Sequence, residues 1–402
     1  MPTPPRTPGD GIQAIAMRCV DAKATYYGTF QSHNQKVIHT PGGLFMTYLR
    51  SRNEEYTAQQ WRLMHSADGG ETWRVLHEET NATNPPVLEA DEAGTVYLIR
   101  PDFVDDHSYL YRFAAGDLEA PPVISVTPHS MAGKFCALFD AGRRELHYFS
   151  HNKDSLFTLD LEGHLLRTCR LTTAGANAIT QYPHLCLDAA GTLYAAWTTS
   201  YHDRYLYWDI HVAKSPDGGV HWHKLDGTPL ELPVVADDAS TADRISLDDE
   251  LEVHTWLHSF VAKGGKLHFA YRANTDPPRF HYMRYDLATG ARDMDLTPRF
   301  GGEKLEATWF DGFFAAAAEQ PESPLYYVGA NGSQLVCLVS HDNGATWHDH
   351  AVSRSPIVEP YAIGGCRELT PEGDVIGSLT DRGVDPAHVH FIRIPGARRR
   401  DG

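Results

Sequence analysis

Ser66-Ala-Asp-Gly-Gly-Glu-Thr-Trp73 recurs as Ser215-Pro-Asp-Gly-Gly-Val-His-Trp222 and again as Ser340-His-Asp-Asn-Gly-Ala-Thr-Trp347. The pattern S-x-D-x-G-x-T/H-W describes a tight turn between two strands. The aspartate bonds nearby backbone amides, the glycine takes a positive φ, and the tryptophan supplies a large ring to plug a sheet. Three spaced copies are an internal repeat, so one supersecondary unit is built several times over.

Working outward from the octets, a fainter repeat appears. A turn glycine precedes an apolar run at Gly43-LFMTYL, Gly94-TVYLI, Gly142-RRELHYF, Gly191-TLYAAW, Gly265-KLHFAY, Gly312-FFAAA and Gly373-DVIGSL. The intervals are 51, 48, 49, 74, 47 and 61 residues. Seven copies at about one blade length predict an all-β, seven-bladed β-propeller of four-stranded antiparallel blades. Each glycine is read as the turn between a blade's first, innermost strand and its second, which puts the octets between third and fourth strands. Residues near Ile12–Arg18 would complete the last blade beside His388–Ile394. The expected organisation is an N-terminal segment 1–24 that takes part in ring closure, a single propeller domain 25–396 and a short tail 397–402.

Composition agrees. The 402 residues are 42% hydrophobic, enough for a sizeable core, and helical periodicity is scarce. The net charge of −17 argues against nucleic acid, whose binding needs phosphate neutralisation, and against anionic membrane surfaces. No apolar run approaches the roughly 18 residues that span a bilayer. The opening MPTPPRTPGDG has no apolar signal segment, so a cytoplasmic location is expected, or a secreted one where a signal has been removed. The six cysteines are scattered without a CxxC pair and are expected as reduced thiols in a monomer.

The register carries a functional expectation. Strands alternate direction, so the starts of first strands and the ends of second strands share one face. The first group includes His33, Asn34 and Gln35, then His129, then Tyr182 and His184, then His254 and His258. The second includes Arg50, Arg100, His151, Tyr201 with Arg204, and Arg272. A face needing only packing would carry Val, Leu and Ala there. Plainer alternatives stand beside each: a histidine capping a strand or bonded to backbone, an arginine in a surface ion pair worth little.

Several arginines on one face of an acidic protein suit a carboxylate ligand, and aromatic and amide neighbours suit sugar rings. The expected partner is therefore an anionic, uronate-containing oligosaccharide. No pair of acids stands out, which disfavours the two-carboxylate glycosidase. Histidine and tyrosine instead suit β-elimination. A base takes the proton α to the uronate carboxylate, polar or cationic groups hold that carboxylate, and an acid protonates the leaving oxygen at C4.

The octets resemble Asp-boxes, the hairpin signature of sialidase-like propellers. Ser32-His-Asn-Gln-Lys-Val37, Tyr182-Pro-His184-Leu before Asp188-x-x-Gly-x-Leu-Tyr, and Asp209-Ile-His-Val-Ala-Lys-Ser-Pro-Asp-Gly-Gly219 resemble the BNR-repeat seven-bladed propellers of carbohydrate degradation. That grouping includes ulvan lyases, exo-lyases cleaving L-rhamnose-α-1,4-D-glucuronate ends, and α-L-rhamnosidases. The resemblance covers roughly residues 25–395. It implies a lyase on such a glycan, with an α-L-rhamnosidase-type hydrolase or a non-catalytic glycan-binding propeller as alternatives. It implies His33 as base or acid–base residue, Arg100 as the group neutralising the uronate, and Tyr182 with His184 completing the site. Members of such families also bind a divalent cation, commonly calcium, in the central channel. The sequence shows no spaced acidic metal loop, and its His-rich positions would suit a transition metal better than calcium; no cofactor is required and no metal ligands are assigned, with a divalent cation in the channel left open. The Arg-Ile-Pro of true sialidases is missing before the first octet, and Arg393-Ile-Pro395 lies at the wrong end of the chain.

Overall fold

The first octet joins strand Gln59–Ser66 to strand Arg74–Thr80, and its bonds explain the turn. Ser66 Oγ donates to Asp68 Oδ1 at 2.8 Å and accepts from the Gly70 amide at 2.8 Å, while the Thr72 amide and hydroxyl both donate to the Asp68 carboxylate. The other two octets repeat the pattern through Asp217 and Asp342. Trp73 then lies edge-on to Phe391 at 5.2 Å, and Trp222 is buried in a core cluster with Leu156 and Leu193. Gly70 has φ +95°, and a Cβ there would lie 2.3 Å from the Phe391 ring. Only glycine fits that approach.

The computed structural model describes residues 8–9, 11–52, 59–80, 84–102, 107–127, 133–296, 312–317, 320 and 322–397. The fold is all-β, a β-propeller of four-stranded antiparallel sheets, with two single-turn 3-10 segments among the described residues. Two compact units divide the chain: Met1–Leu98 with Phe113–Pro122 and Gly301–Gly402, and Ile99–Arg112 with Val123–Phe300.

In the first unit, Val37–Thr40, Gly43–Ser51, Gln59–Ser66 and Arg74–Thr80 form one antiparallel meander. Phe313–Ala316, Leu325–Asn331, Gln334–Ser340 and His348–Ser353 form a second. Pro360–Gly365, Val375–Asp381 and Ala387–Ile394 take Gln13–Ala24 as their fourth, antiparallel strand, with Cys19 opposite His390. Ile363, Val375, Leu379, Ile392 and Ile394 pack with Tyr326, Val328 and Leu335 into a continuous core.

In the second unit, Phe135–Asp140, Glu145–Ser150, Ser155–Leu159 and Leu165–Arg170 are one sheet. Ala178–Leu187, Leu193–Tyr201, Tyr207–Ser215 and Asp243–Arg244 are the next. Thr255–Lys263, Lys266–Ala273, Arg279–Asp286 and Arg292–Asp295 follow. Val87–Ala90, Val96–Asp102, His107–Phe113 and Val123–Thr127 form a further sheet, whose residues are divided between the two units. The inner faces interdigitate through Tyr194, Ile210, Val212, Leu267, Phe269 and Met283.

The turn glycines fall between first and second strands as expected at Gly43, Gly94, Gly142, Gly191, Gly265 and Gly373. Gly312 does not. It precedes Phe313–Ala316, which is the first strand of its sheet, so the register there slips by one strand. A glycine before an apolar run looks the same in front of either strand, and the pairing partner, Leu325–Asn331, is what decides.

Candidate functional site

The first strands of the second unit enter with polar residues. Lys134 directly precedes Phe135–Asp140, Tyr182 sits within Ala178–Leu187, and His254 directly precedes Thr255–Lys263. These side chains form a connected group. Lys134 Nζ stands over the Tyr182 ring, 5.5 Å from its centroid. Tyr182 meets Tyr207 edge-on at 5.4 Å, and Tyr207 reaches His254, whose ring stacks on Trp256 at 4.8 Å.

The backbone is arranged to present Tyr182. A bulge interrupts the register between Gln181 and His184, and Tyr182 has φ +44°. A residue before proline ordinarily prefers extended geometry, so a left-handed Tyr182 ahead of Pro183 is held by its surroundings at a cost of about 1–3 kcal/mol. Bulges re-aim side chains, and strained residues concentrate at functional sites. The next sheet repeats the device, with a bulge between Leu257 and Ser259 at His258.

His151 joins the group from the end of a second strand, in the single turn His151–Lys153. Its Nδ1 lies 2.9 Å from both the amide nitrogen and the carbonyl oxygen of Lys134. Gly133 makes room, because a Cβ there would fall 2.3 Å from the imidazole. Burial lowers His151 to about 4, partly opposed by its bond to the Lys134 backbone and reinforced by the Lys134 charge. It is therefore a neutral imidazole at physiological pH. Burial also pulls the Lys134 ammonium and the His254 imidazole below their usual ranges. Burial raises Tyr207, helped by neighbouring Tyr205 and opposed by a hydrogen bond from Tyr182. The group thus holds a phenol, an ammonium disfavoured by burial and neutral imidazoles within one unit.

The other expected residues of this unit divide. His184 is buried against Phe260, ring centres 6.3 Å apart, and His258 is buried edge-on to Phe280 at 5.1 Å. Arg272 lies opposite Trp256 in the adjacent strand, and burial alone lowers its guanidinium. Arg100 is held by Asp102 at 2.8 Å and lies over the Tyr109 ring. Arg204 is exposed, bonded to Glu252 and stacked on Tyr201, which itself stacks on Trp208. His129 lies outside the described residues.

The first unit holds the remaining candidates. His33 is half-buried with Nε2 3.4 Å from Asn34 Nδ2. Asn34 is buried, and Gln35 accepts from the Arg367 amide and donates to the Leu88 carbonyl. Arg50 donates from Nε to Asp21 at 2.7 Å. Three of the four arginines expected to bind ligand therefore carry a carboxylate partner of their own. A guanidinium already neutralised in this way has less charge to offer an anion. Near His33 in sequence, Tyr27 and Phe30 group with Tyr361, over which Arg382 sits at 4.1 Å.

Lys134, Tyr205 and Tyr207 escaped the sequence reading. Lys134 had a signal, since it immediately precedes a first strand, but its neighbours HSMAG suggest a loop. An open cleft of about 560 Å³ also occurs in the second unit, lined by His211, Arg244, Ser246 and Arg292 among others. It holds none of the residues expected from the sequence.

No known family model matches the chain, and no curated protein matches it. Solved structures do. A polysaccharide lyase of the PL25 ulvan lyase family superposes with a TM-score of 0.64 over 96% of this chain and 95% of its own, at 11% identity. The chain is similar in fold to this lyase. The same family's structure bound to -[GlcA(1-4)Rha3S]- gives a TM-score of 0.64 at 12% identity, again over 96% and 95% of the two chains. The polysaccharide lyase Uly1 gives 0.59 at 11% identity, over 96% of this chain and 100% of its own. At such identities the likeness is one of fold.

Proposed function

We propose that the protein is a glycan lyase that cleaves a uronate-containing oligosaccharide by β-elimination, acting at L-rhamnose-α-1,4-D-glucuronate ends. The observation that carries the reading is the Lys134–Tyr182 contact, with neutral His151 bonded to the Lys134 backbone. Two facts lend support: the shared fold with lyases, and the glucuronate–rhamnose ligand of one of them.

In this reading the Tyr182 phenol handles the proton at C5. The Lys134 ammonium, held over the ring, can face the uronate carboxylate as charge spreads onto it. The C5–H bond breaks, the C4–C5 double bond forms, and the C4–O bond breaks with a proton delivered to the leaving oxygen. Neutral His151 and His254 are suited to hydrogen bonds with sugar hydroxyls, and the Tyr207 hydroxyl is suited to delivering that final proton. His33, the first choice from sequence, is a further proton-transfer candidate.

Incubation with a rhamnosyl-glucuronate-capped oligosaccharide tests the reading. The expected result is ultraviolet absorbance from the new double bond accompanying released rhamnose. Rhamnose released without that absorbance assigns a hydrolase. Binding of the oligosaccharide with neither product assigns a non-catalytic glycan-binding module.

A further inference from the structure

Outside this site, a second cluster of reactive side chains lies where strand Gln13–Ala24 pairs with strand Ala387–Ile394. Cys19 is directly opposite His390 in the antiparallel register. Side chains two apart in a strand share a face, so His388 joins His390 on that side. The alternation is visible in the burial of the strand, where Val389 and Phe391 enter the core while both histidines remain half-buried. One donor atom from each of Cys19, His388 and His390 lies within 4.8 Å of the others.

We propose that Cys19, His388 and His390 form a binding site for a borderline-soft divalent transition metal, zinc in the first instance. A thiolate and two imidazoles are the ligand set that zinc and its neighbours prefer over calcium or magnesium, which take oxygen. Tetrahedral zinc with bonds of about 2.0–2.3 Å needs donors roughly 3.3–3.7 Å apart. Small rotations of two half-buried rings and an exposed thiol reach that spacing from the observed one. Asp21, two residues from Cys19, is already engaged: Oδ2 accepts from Tyr48 and Arg50, and Oδ1 from the Lys23 amide. The protein therefore supplies three ligands, and water takes the fourth position.

The consequence is mechanical. The ligands come from positions 19, 388 and 390, so the ion cross-links two strands that are almost the whole chain apart in sequence. A metal that binds the folded state alone stabilises it by mass action.

Cobalt(II) titration of the metal-free protein tests the site. The expected result is one equivalent bound, with a thiolate-to-cobalt charge-transfer band and the intense visible bands of a tetrahedral site, both displaced by zinc. Cys19→Ser should lose the charge-transfer band, and the double variant His388→Ala, His390→Ala should lose the bound equivalent. Zinc should raise the melting temperature of the wild type and leave that of Cys19→Ser unmoved. Absence of the band in the wild type, or its persistence in Cys19→Ser, overturns the proposal. Should the double variant fail to fold by circular dichroism, native mass spectrometry of the wild type against the conservative Cys19→Ser decides by the presence or absence of one zinc.

Discussion

Lys134 holds its ammonium nitrogen 5.5 Å from the centre of the Tyr182 ring, although 48 residues separate them. Lys134 directly precedes the first strand of one sheet, and Tyr182 sits at a bulge within the first strand of the next. Tyr182→Phe keeps the ring and the contact while removing the ionisable hydroxyl. It is expected to lower the elimination rate about 10²–10⁴-fold, the usual worth of one proton-transfer group, with an unchanged melting temperature. Lys134→Met should lower the rate as well. Activity within a few-fold of wild type in both variants would sink the assignment.

The pH dependence follows from the same pair. Lys134 is pulled below the ordinary 10.5 by burial, so the cation is lost early and the alkaline limb of kcat/KM should fall below that value. His151 stays neutral down to about 4, so its titration should not produce an acid limb near the ordinary imidazole value of 6.5. A pH–rate profile measured in wild type and in Lys134→Met checks both, since the variant should lose the alkaline limb.

His33 is a separate test. His33→Ala is expected to slow the reaction by about 10²–10⁴-fold if the half-buried imidazole transfers a proton. A rate close to wild type removes it from the chemistry and leaves the Lys134 group as the seat of catalysis. Saturation kinetics distinguish a third outcome, a raised KM at unchanged kcat, which would assign His33 to sugar binding.

Acid stability can be read from the turn carboxylates. Asp68 is lowered to about 2 by the Thr72 hydroxyl and amide and by Ser66. Asp140 also sits at about 2, where burial opposes and the bonds from His147 and Arg143 prevail. Between about 2 and the ordinary 3.8 the unfolded chain binds more protons than the folded one. Their stabilisation is therefore complete above that window and lost as pH falls through it. Urea midpoints measured across the window should drop, and the drop should be shallower in Asp140→Asn.

Two turn glycines should respond differently to alanine. Gly373 has φ +84° with nothing within 4 Å of where an alanine methyl would lie, whereas the Gly70 position meets the Phe391 ring at 2.3 Å. Gly373→Ala should cost about 1–2 kcal/mol, the left-handed backbone penalty alone. Gly70→Ala adds overpacking of about 1–3 kcal/mol. Equal urea midpoints for the two variants would contradict the packing argument.

The repeat and the strand order of most sheets are legible along the chain. An octet such as Ser215–Trp222 closes on itself through bonds no longer than four residues, so its turn is written locally. The same logic located the entering ends of first strands, where Tyr182 and His254 were found. Which of the polar residues there come together depends on contacts between distant strands. Arg50 meets Asp21 and Arg204 meets Glu252 across 29 and 48 residues, and such ion pairs leave no local pattern. The left-handed Tyr182 runs against the preference of a residue before proline, and Lys134 gains its meaning from a ring on another sheet. Turns are set by neighbours along the chain, whereas charge neutralisation, burial and strain are set by neighbours in space.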